Sequence, residues 1–209
     1  MGHRSPLAHA PRPKTRIRHG ICVNSTVKAV SGPIVLATDG SVGADRVASG
    51  YLATTGHTGL CAHIYPTYVA RPRARVVVTE LRAVHWGLKR VLAARSGRPV
   101  EVRIDSIEAL KYLHAWQRGG NRMPEGYSTN VRSQGRAPTL VQLQMVAEFT
   151  PHLTFVHEKA HVGNPLNEAA DSLAKLGLRC VRGQVAGSEI PRLVPLWAAG
   201  ALAEYRRAA

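Results

Sequence analysis

The chain has 209 residues, of which 44% are hydrophobic, so it is long and apolar enough for one domain with appendages. Its 28 Lys and Arg against 13 Asp and Glu give a formal net charge of +15, which favours nucleic acid as a partner over a basic surface kept for solubility. No apolar run approaches the ~18 residues of a membrane span, and three separated cysteines support neither a zinc ribbon nor a disulfide scaffold. We therefore expect a cytoplasmic protein with reduced thiols and no membrane partner.

The first 32 residues are basic, free of acidic residues and interrupted by prolines. This composition predicts a disordered basic arm over residues 1–32. The arm could add affinity for nucleic acid, or it could be a remnant without a role, and a transit peptide is a further alternative. Ordered structure is expected from Ile34 onward, in a domain that spans residues 33–180.

The first half of this domain has the patterns of three strands and a helix. Ile34–Thr38 is a short apolar run that ends in Asp-Gly, which predicts a strand. Val47–Thr54 and Leu60–Thr67 flank a Gly-containing connection and predict a hairpin. Apolar residues at helical spacing predict a helix over Thr79–Arg95, with Thr79 as its N-cap.

Strands and helices alternate in the second half. Pro99–Asp105 alternates apolar and polar residues as a strand does, and Ser106 can cap the helix that follows. Gly119–Pro138 lacks periodicity and predicts a long basic loop. The remaining predicted elements are the helix Thr139–Phe149, the strand His152–His157, a helix from Pro165 to Gly177 capped by Asn164, and a tail, residues 181–209, with a weak helix at Leu196–Tyr205. This order predicts an α/β fold with a mixed sheet and helices on its faces.

Four acidic residues stand near the ends of these elements. Asp39 follows the first strand, Glu80 lies in the first turn of the first helix, Asp105 ends a later strand, and Asp171 lies in the last helix of the domain. Singly, each has an ordinary explanation as a turn residue, a helix-dipole partner or a solvated side chain. Together they suggest a Mg²⁺ site, because Mg²⁺ prefers oxygen ligands and ligands collect at the strand ends of α/β sheets.

The motifs around these acids resemble the type 1 ribonuclease H family over about residues 34–178. The segments that carry the resemblance are Thr38-Asp-Gly-Ser41, Thr79-Glu-Leu-Arg-Ala83, Ile104-Asp-Ser106 and the run from His161 to Ala174, which contains Gly-Asn-Pro and Asn-Glu-Ala-Ala-Asp. The last segment is the most specific. Four blocks in this order make a stronger signal than any one motif.

The resemblance implies a fold and an activity. The implied fold is a ribonuclease H-like mixed five-stranded sheet, three antiparallel strands then two parallel ones, flanked by helices. The implied activity is that of an endoribonuclease that hydrolyses the RNA strand of RNA–DNA hybrids, recognising the 2′-OH and the groove shape. Two Mg²⁺ ions, or alternatively Mn²⁺, would activate water and relieve charge on the leaving oxygen. We expect the enzyme to be a monomer.

The resemblance also implies roles for individual residues. Asp39, Glu80, Asp105 and Asp171 resemble the family's metal-binding acids, and His161 resembles a loop histidine that assists proton transfer or product release. The implied substrate-binding residues are Gly40, Ser41, Asn167, Arg118, Arg122, Arg132 and Arg136. Two alternatives stay open: Asn167 could serve only hydrogen bonding at the helix start, and His161 could be a loop residue without a role.

Among the segments that depart from the family pattern, two concern substrate binding. Many members have a Thr/Asn-rich run that contacts the DNA strand, where this chain has Arg75-Val-Val-Val-Thr79. The loop Gly119–Pro138 falls where some bacterial members have a basic protrusion, but it is richer in Gly and Ser. The competing hypotheses are another nuclease or strand-transfer protein on the same fold, and a non-catalytic nucleic-acid-binding module.

Overall fold

The computed structural model describes residues 20–65, 72–94, 97–130, 135–159 and 163–208. Within these residues the centre is a six-stranded sheet in the order β1-β4-β3-β2-β5-β6. The strands are β1 Gly20–Thr26, β2 Ile34–Val42, β3 Arg46–Ala53, β4 His57–Ile64, β5 Val100–Ile104 and β6 Leu153–His157. The strands β1 to β4 pair antiparallel, whereas β5 pairs parallel with both β2 and β6.

Helices cover both faces of the sheet in the described part of the chain. They are α1 Pro72–Ala94, α2 Ile107–Gln117, α3 Thr139–Phe149, α4 Pro165–Val181 and α5 Ile190–Ala208, with a 3₁₀ turn at Gly187–Glu189. Helices α1 to α3 share a core with one face, and α4 and α5 pack on the other. Along β2, Ile34 and Leu36 face the first core while Val35 and Ala37 face the second. A helix able to cross a membrane is not found among the described residues.

The predicted mixed α/β sheet is confirmed, because β2, β3 and β4 are antiparallel and β5 and β6 extend the sheet in parallel. The sheet has six strands rather than five, since β1 adds to the free edge of β4. The prediction of disorder through residue 32 is therefore wrong for Gly20–Thr26. Only Ile21 and Val23 of this strand point into a core, which is too short an apolar pattern to recognise in a basic segment.

The C-terminal tail also contains more structure than predicted. Instead of a weak helix at Leu196–Tyr205, helix α5 occupies Ile190–Ala208 and includes Pro195. A proline lacks the N–H that a helix interior uses. A helix of this length was therefore not predicted across Pro195. Burial of residues such as Val194 against the sheet and α4 outweighs that loss.

Helix α1 begins at Pro72 rather than at Thr79. Thr79 is therefore not an N-cap, and its Oγ1 donates a 2.6 Å hydrogen bond to the carbonyl of Arg75 inside the helix. The run of valines before Thr79 did not suggest a helix because β-branched residues lose side-chain freedom there. Val77 and Val78 are fully buried against the core, and this packing outweighs their weak intrinsic preference.

The predicted caps of two other helices are confirmed. Ser106 Oγ accepts a hydrogen bond from the backbone N–H of Ala109 at 3.2 Å. Asn164 Oδ1 accepts one from Leu166 at 3.0 Å, with proline at the first position of the helix. Helix α4 does not end at Gly177, however, because this glycine lies against the sheet, where it permits close packing.

Cys22 of β1 and Cys61 of β4 are directly opposite each other and form a disulfide. The expectation of reduced thiols is wrong for this pair, whereas Cys180 is a free thiol. Cys22 and Cys61 come together only because β1 lies beside β4. Since β1 was not predicted, the disulfide could not be predicted either.

Candidate active site

Two acidic residues lie at the same end of neighbouring parallel strands. The ladder between β2 and β5 ends with Thr38 opposite Ile104, so Asp39 and Asp105 each come one residue later. Strand β2 continues to Val42 in its pairing with β3, which places Asp39 inside the strand rather than after it. The carboxyl ends of these parallel strands thus bring two carboxylates together.

Glu80 reaches the same place from helix α1, because helix and strand touch at Gly40. A Cβ on Gly40 would lie 2.8 Å from the backbone nitrogen of Glu80, so this position requires glycine. Ser49 Oγ donates a 3.2 Å hydrogen bond to the carbonyl of Thr79, and this bond links helix α1 to strand β3. Glu80 lies well inside the helix, not in its first turn as predicted, since α1 begins at Pro72.

The carboxylates of Asp39, Glu80 and Asp105 converge, with one oxygen from each lying within 4.8 Å of the others. Asp39 is 7% exposed and Glu80 5%, while Asp105 is partly exposed. Burial, followed by the charges of Asp105 and Asp171, raises the pKa of Asp39 to about 7. Burial and the charges of Asp39 and Asp105 likewise raise the pKa of Glu80 well above its usual value.

This cluster suits a hard divalent cation. Glu80 Oε2 is buried and has no hydrogen-bond partner among the described residues, which is costly for a carboxylate oxygen. A divalent cation would supply the missing positive charge and stabilise the ionised carboxylates. Because the donors are all carboxylate oxygens, the set fits Mg²⁺ or Mn²⁺ better than a soft metal.

Asp171 approaches the cluster from helix α4 but is not one of the three converging acids. Its Oδ2 accepts a 2.7 Å hydrogen bond from the Nζ of Lys175, four residues later on the same helix. Its negative charge nevertheless raises the pKa of Asp39, and the ammonium of Lys175 lowers it. Lys175 therefore supplies positive charge beside the acids.

Gly50 and Lys175 help to position the site and were not predicted. Gly50 pairs with Asp39 across β2 and β3, and a Cβ there would lie 2.5 Å from the backbone nitrogen of Ala174 in α4. The hydrogen bond to Asp171 raises the pKa of Lys175. The spacing of Asp171 and Lys175 was visible in the sequence. The contact at Gly50 was not, because it depends on how a helix packs on the sheet.

Two further predicted residues lie on elements that carry the acids, Asn167 on α4 and Ser41 on β2. Asn167 is 5% exposed, and its Oδ1 has no partner among the described residues. Its backbone N–H donates to Asn164 Oδ1 at 3.5 Å, as expected at a helix start. Ser41 continues strand β2 opposite Ala48 and is half-buried. His161 lies outside the described residues.

The described parts of the predicted basic loop, residues 119–130 and 135–138, contain neither helix nor strand. Arg118, Arg122 and Arg136 are exposed, and Arg132 lies outside the described residues. Trp116 is buried, and its Nε1 donates a 3.0 Å hydrogen bond to the carbonyl of Arg122. This bond holds the start of the loop against α2.

The sheet and the carboxylate cluster define the class: an α/β domain with a candidate centre for divalent cations. The family model for RNase H matches residues 31–179, and the chain belongs to the RNase H family. It is similar to a protein named Ribonuclease H from Marinobacter nauticus (strain ATCC 700491 / DSM 11845 / VT8), with 28% identity over 155 residues, 74% of this chain and 99% of that protein. The family resemblance of the motifs is thereby confirmed, and family membership supports a nuclease. Strand β1 and helix α5 lie outside the matched range.

Proposed function

We propose that the protein hydrolyses the RNA strand of RNA–DNA hybrids with two divalent ions, Mg²⁺ first and Mn²⁺ as the alternative. Membership of the RNase H family and the similarity to the Marinobacter Ribonuclease H support this activity. The observation that carries the proposal is the convergence of Asp39, Glu80 and Asp105 within 4.8 Å.

We expect the acidic residues of the cluster to hold the ions as ligands. Asp39, Glu80 and Asp105 would provide the ligand oxygens, and Asp171 would join them by exchanging its bond with Lys175 for a cation. Divalent ions bound there supply an activated water and neutralise charge that develops on the phosphate. Burial of Asp39 and Glu80 fixes the ligand oxygens in place and strengthens electrostatic interactions, since the local dielectric is low.

His161 stands shortly before Asn164, the N-cap of α4. We propose that its imidazole assists proton transfer to the leaving oxygen or release of the product. Imidazole suits this role because its unperturbed pKa lies near neutrality, so it can both accept and donate a proton.

Substrate binding would rest on positive charge and on the residues beside the acids. The exposed Arg118, Arg122 and Arg136, with Arg132 in the same loop, can contact phosphates in a bidentate manner. Gly40, Ser41 and Asn167 are proposed to contact the hybrid next to the acid cluster. Val76 is 47% exposed and offers no polar side chain, so we expect the loop to contribute more to binding than the valine run.

Replacing Asp39 or Asp105 by asparagine tests the proposal. Each change keeps the size of the side chain and removes one ligand charge, so Mg²⁺-dependent cleavage should fall by roughly 10²–10³-fold or more, while metal-free hybrid binding survives. Glu204→Gln, on the exposed part of α5, is the matched control and should cleave as wild type. Undiminished turnover by either asparagine variant would refute the assignment.

The choice of substrate separates this function from its competitors. Hybrid, duplex DNA and duplex RNA of one sequence should be compared with and without Mg²⁺, and only the hybrid should be cut. Efficient cleavage of duplex DNA would favour another nuclease on this fold. Salt-sensitive binding without any cleavage would favour a non-catalytic binding module.

We further propose that the protein acts as a monomer in the cytoplasm.

A further inference from the structure

A polar cavity of about 360 Å³ lies between the last turns of α1 and the adjoining ends of β1 and β4. Its polar lining consists of Asn24, Ser25, Thr26, Tyr51, His57 and Arg90. Asp39 is in register with Gly50 and Leu60, whereas His57 opens β4. Strand geometry therefore separates the backbone at His57 from that at Asp39 by roughly 14 Å. The cavity is distinct from the acid cluster.

The charge of this cavity is positive. None of its described lining residues is acidic, and within the described chain no carboxylate forms an ion pair with Arg90. Burial raises the pKa of Tyr51 to about 12, and the charge of Arg90 opposes that rise, so the side chains of Tyr51 and Arg90 lie near each other. A guanidinium without a carboxylate partner is suited to an anionic ligand.

Hydrogen bonds orient further donors in the lining. The hydroxyl of Tyr51 donates to Asn24 Oδ1 at 2.8 Å, so the two N–H groups of the Asn24 amide are left to donate elsewhere. Thr55 Oγ1 lies 2.9 Å from His57 Nδ1 and fixes the imidazole ring. The end of β1 adds the hydroxyl of Thr26, which lies on the same face of the strand as Asn24. One guanidinium, one amide and the hydroxyl of Thr26 thus line a single cavity.

We propose that this cavity binds a phosphate group, carried either by a nucleic acid strand or by a free nucleotide. Phosphate accepts bidentate hydrogen bonds from arginine and further bonds from amides and hydroxyls, which matches this lining. Asn24, Ser25 and Thr26 precede residue 31, where the RNase H match begins, whereas Tyr51, His57 and Arg90 lie within it, so β1 contributes half of the polar lining. The proposal does not depend on hydrolysis of hybrids.

The test is an amide NMR titration of the full, metal-free chain with sodium phosphate, compared with sodium chloride at equal ionic strength. Phosphate should shift the amide signals of Ser25, Thr26 and His57 saturably. Arg90→Gln should weaken the apparent affinity about tenfold, since it removes a charge-assisted hydrogen bond. Arg206→Gln, an exposed arginine of α5, is the control and should leave it unchanged.

A second variant and competition experiments complete the design. Thr26→Val keeps a branched strand residue, removes one hydroxyl and should weaken binding several-fold. Displacement of phosphate by a hybrid duplex of about two helical turns, but not by a nucleoside 5′-monophosphate, assigns the site to a nucleic acid backbone. The reverse result assigns it to a nucleotide. Shifts that chloride reproduces, or that persist unchanged in Arg90→Gln, would overturn the proposal.

Discussion

At the scale of single residues, the site holds negative charge that the protein only partly neutralises. Asp39 and Glu80 are buried, and burial together with neighbouring carboxylates raises the pKa of both. Lys175 offsets part of this repulsion through its bond with Asp171. The identity of the acids could be predicted from short motifs. Their burial and the presence of Lys175 could not, because both depend on neighbours that come from different elements.

The raised pKa of Asp39 makes the stability of the metal-free protein depend on pH. The pKa of Asp39 is about 7 in the folded protein, so the carboxyl keeps its proton up to about pH 7, whereas the unfolded chain loses it near the ordinary pKa of 3.8. The free energy of unfolding should therefore fall as pH rises between about 4 and 7, by on the order of 2–4 kcal/mol from this group. Urea unfolding at a series of pH values, in the presence of EDTA, measures this change in the free energy of unfolding.

Asp39→Asn is the control for this dependence, because it removes the titrating group and should flatten the slope. Addition of Mg²⁺ near pH 7 should restore stability to the wild type, since the cation binds the ionised carboxylates. If the free energy of unfolding of the wild type rises between about pH 4 and 7, relative to that of Asp39→Asn, the account is contradicted.

At the scale of elements, periodicity and caps predicted the segments whose local signals agree with their packing. Helix α3 has its predicted bounds, and helices α2 and α4 begin at their predicted caps, Ser106 and Asn164. The failures lie where tertiary contacts outweigh local preference. They are the valine run at the start of α1, the proline inside α5, and β1, which needs β4 as its partner.

The contact between α4 and β3 should be sensitive to a single methyl group at Gly50. A Cβ there would clash with the carbonyl oxygen of Ala170 and lie 2.5 Å from the nitrogen of Ala174, so the helix that carries Asp171 must shift. Gly50→Ala should lower the free energy of unfolding by about 1–3 kcal/mol and reduce hybrid cleavage. Chemical denaturation and the cleavage assay measure the two effects.

Gly200→Ala is the matched control for this substitution. Gly200 lies in α5, and a Cβ there meets nothing within 4 Å. This variant should be as stable as wild type or more stable, by roughly 0.5–1 kcal/mol, because alanine favours helix. Equal stability of Gly50→Ala and wild type would show that α4 does not depend on this close approach.

At the scale of the whole molecule, strand β1 and helix α5 pack against each other. Ile21 and Val23 of β1 pack in one cluster with Val194 and Trp197 of α5, although both elements lie outside the range that matches the family. The net charge of +15 attracts phosphate, while the acid cluster alone would repel it. Divalent ions at the cluster would remove that repulsion and so link substrate binding to metal binding.

The central claim is that the carboxylates of Asp39, Glu80 and Asp105 hold divalent cations. The most direct measurement is anomalous X-ray diffraction from crystals of the protein grown with Mn²⁺, which locates the ions independently of activity. We predict anomalous peaks in contact with these three carboxylates, lost in Asp39→Asn. Crystals with Mn²⁺ bound elsewhere, or with no peak at the converging acids, would contradict the account.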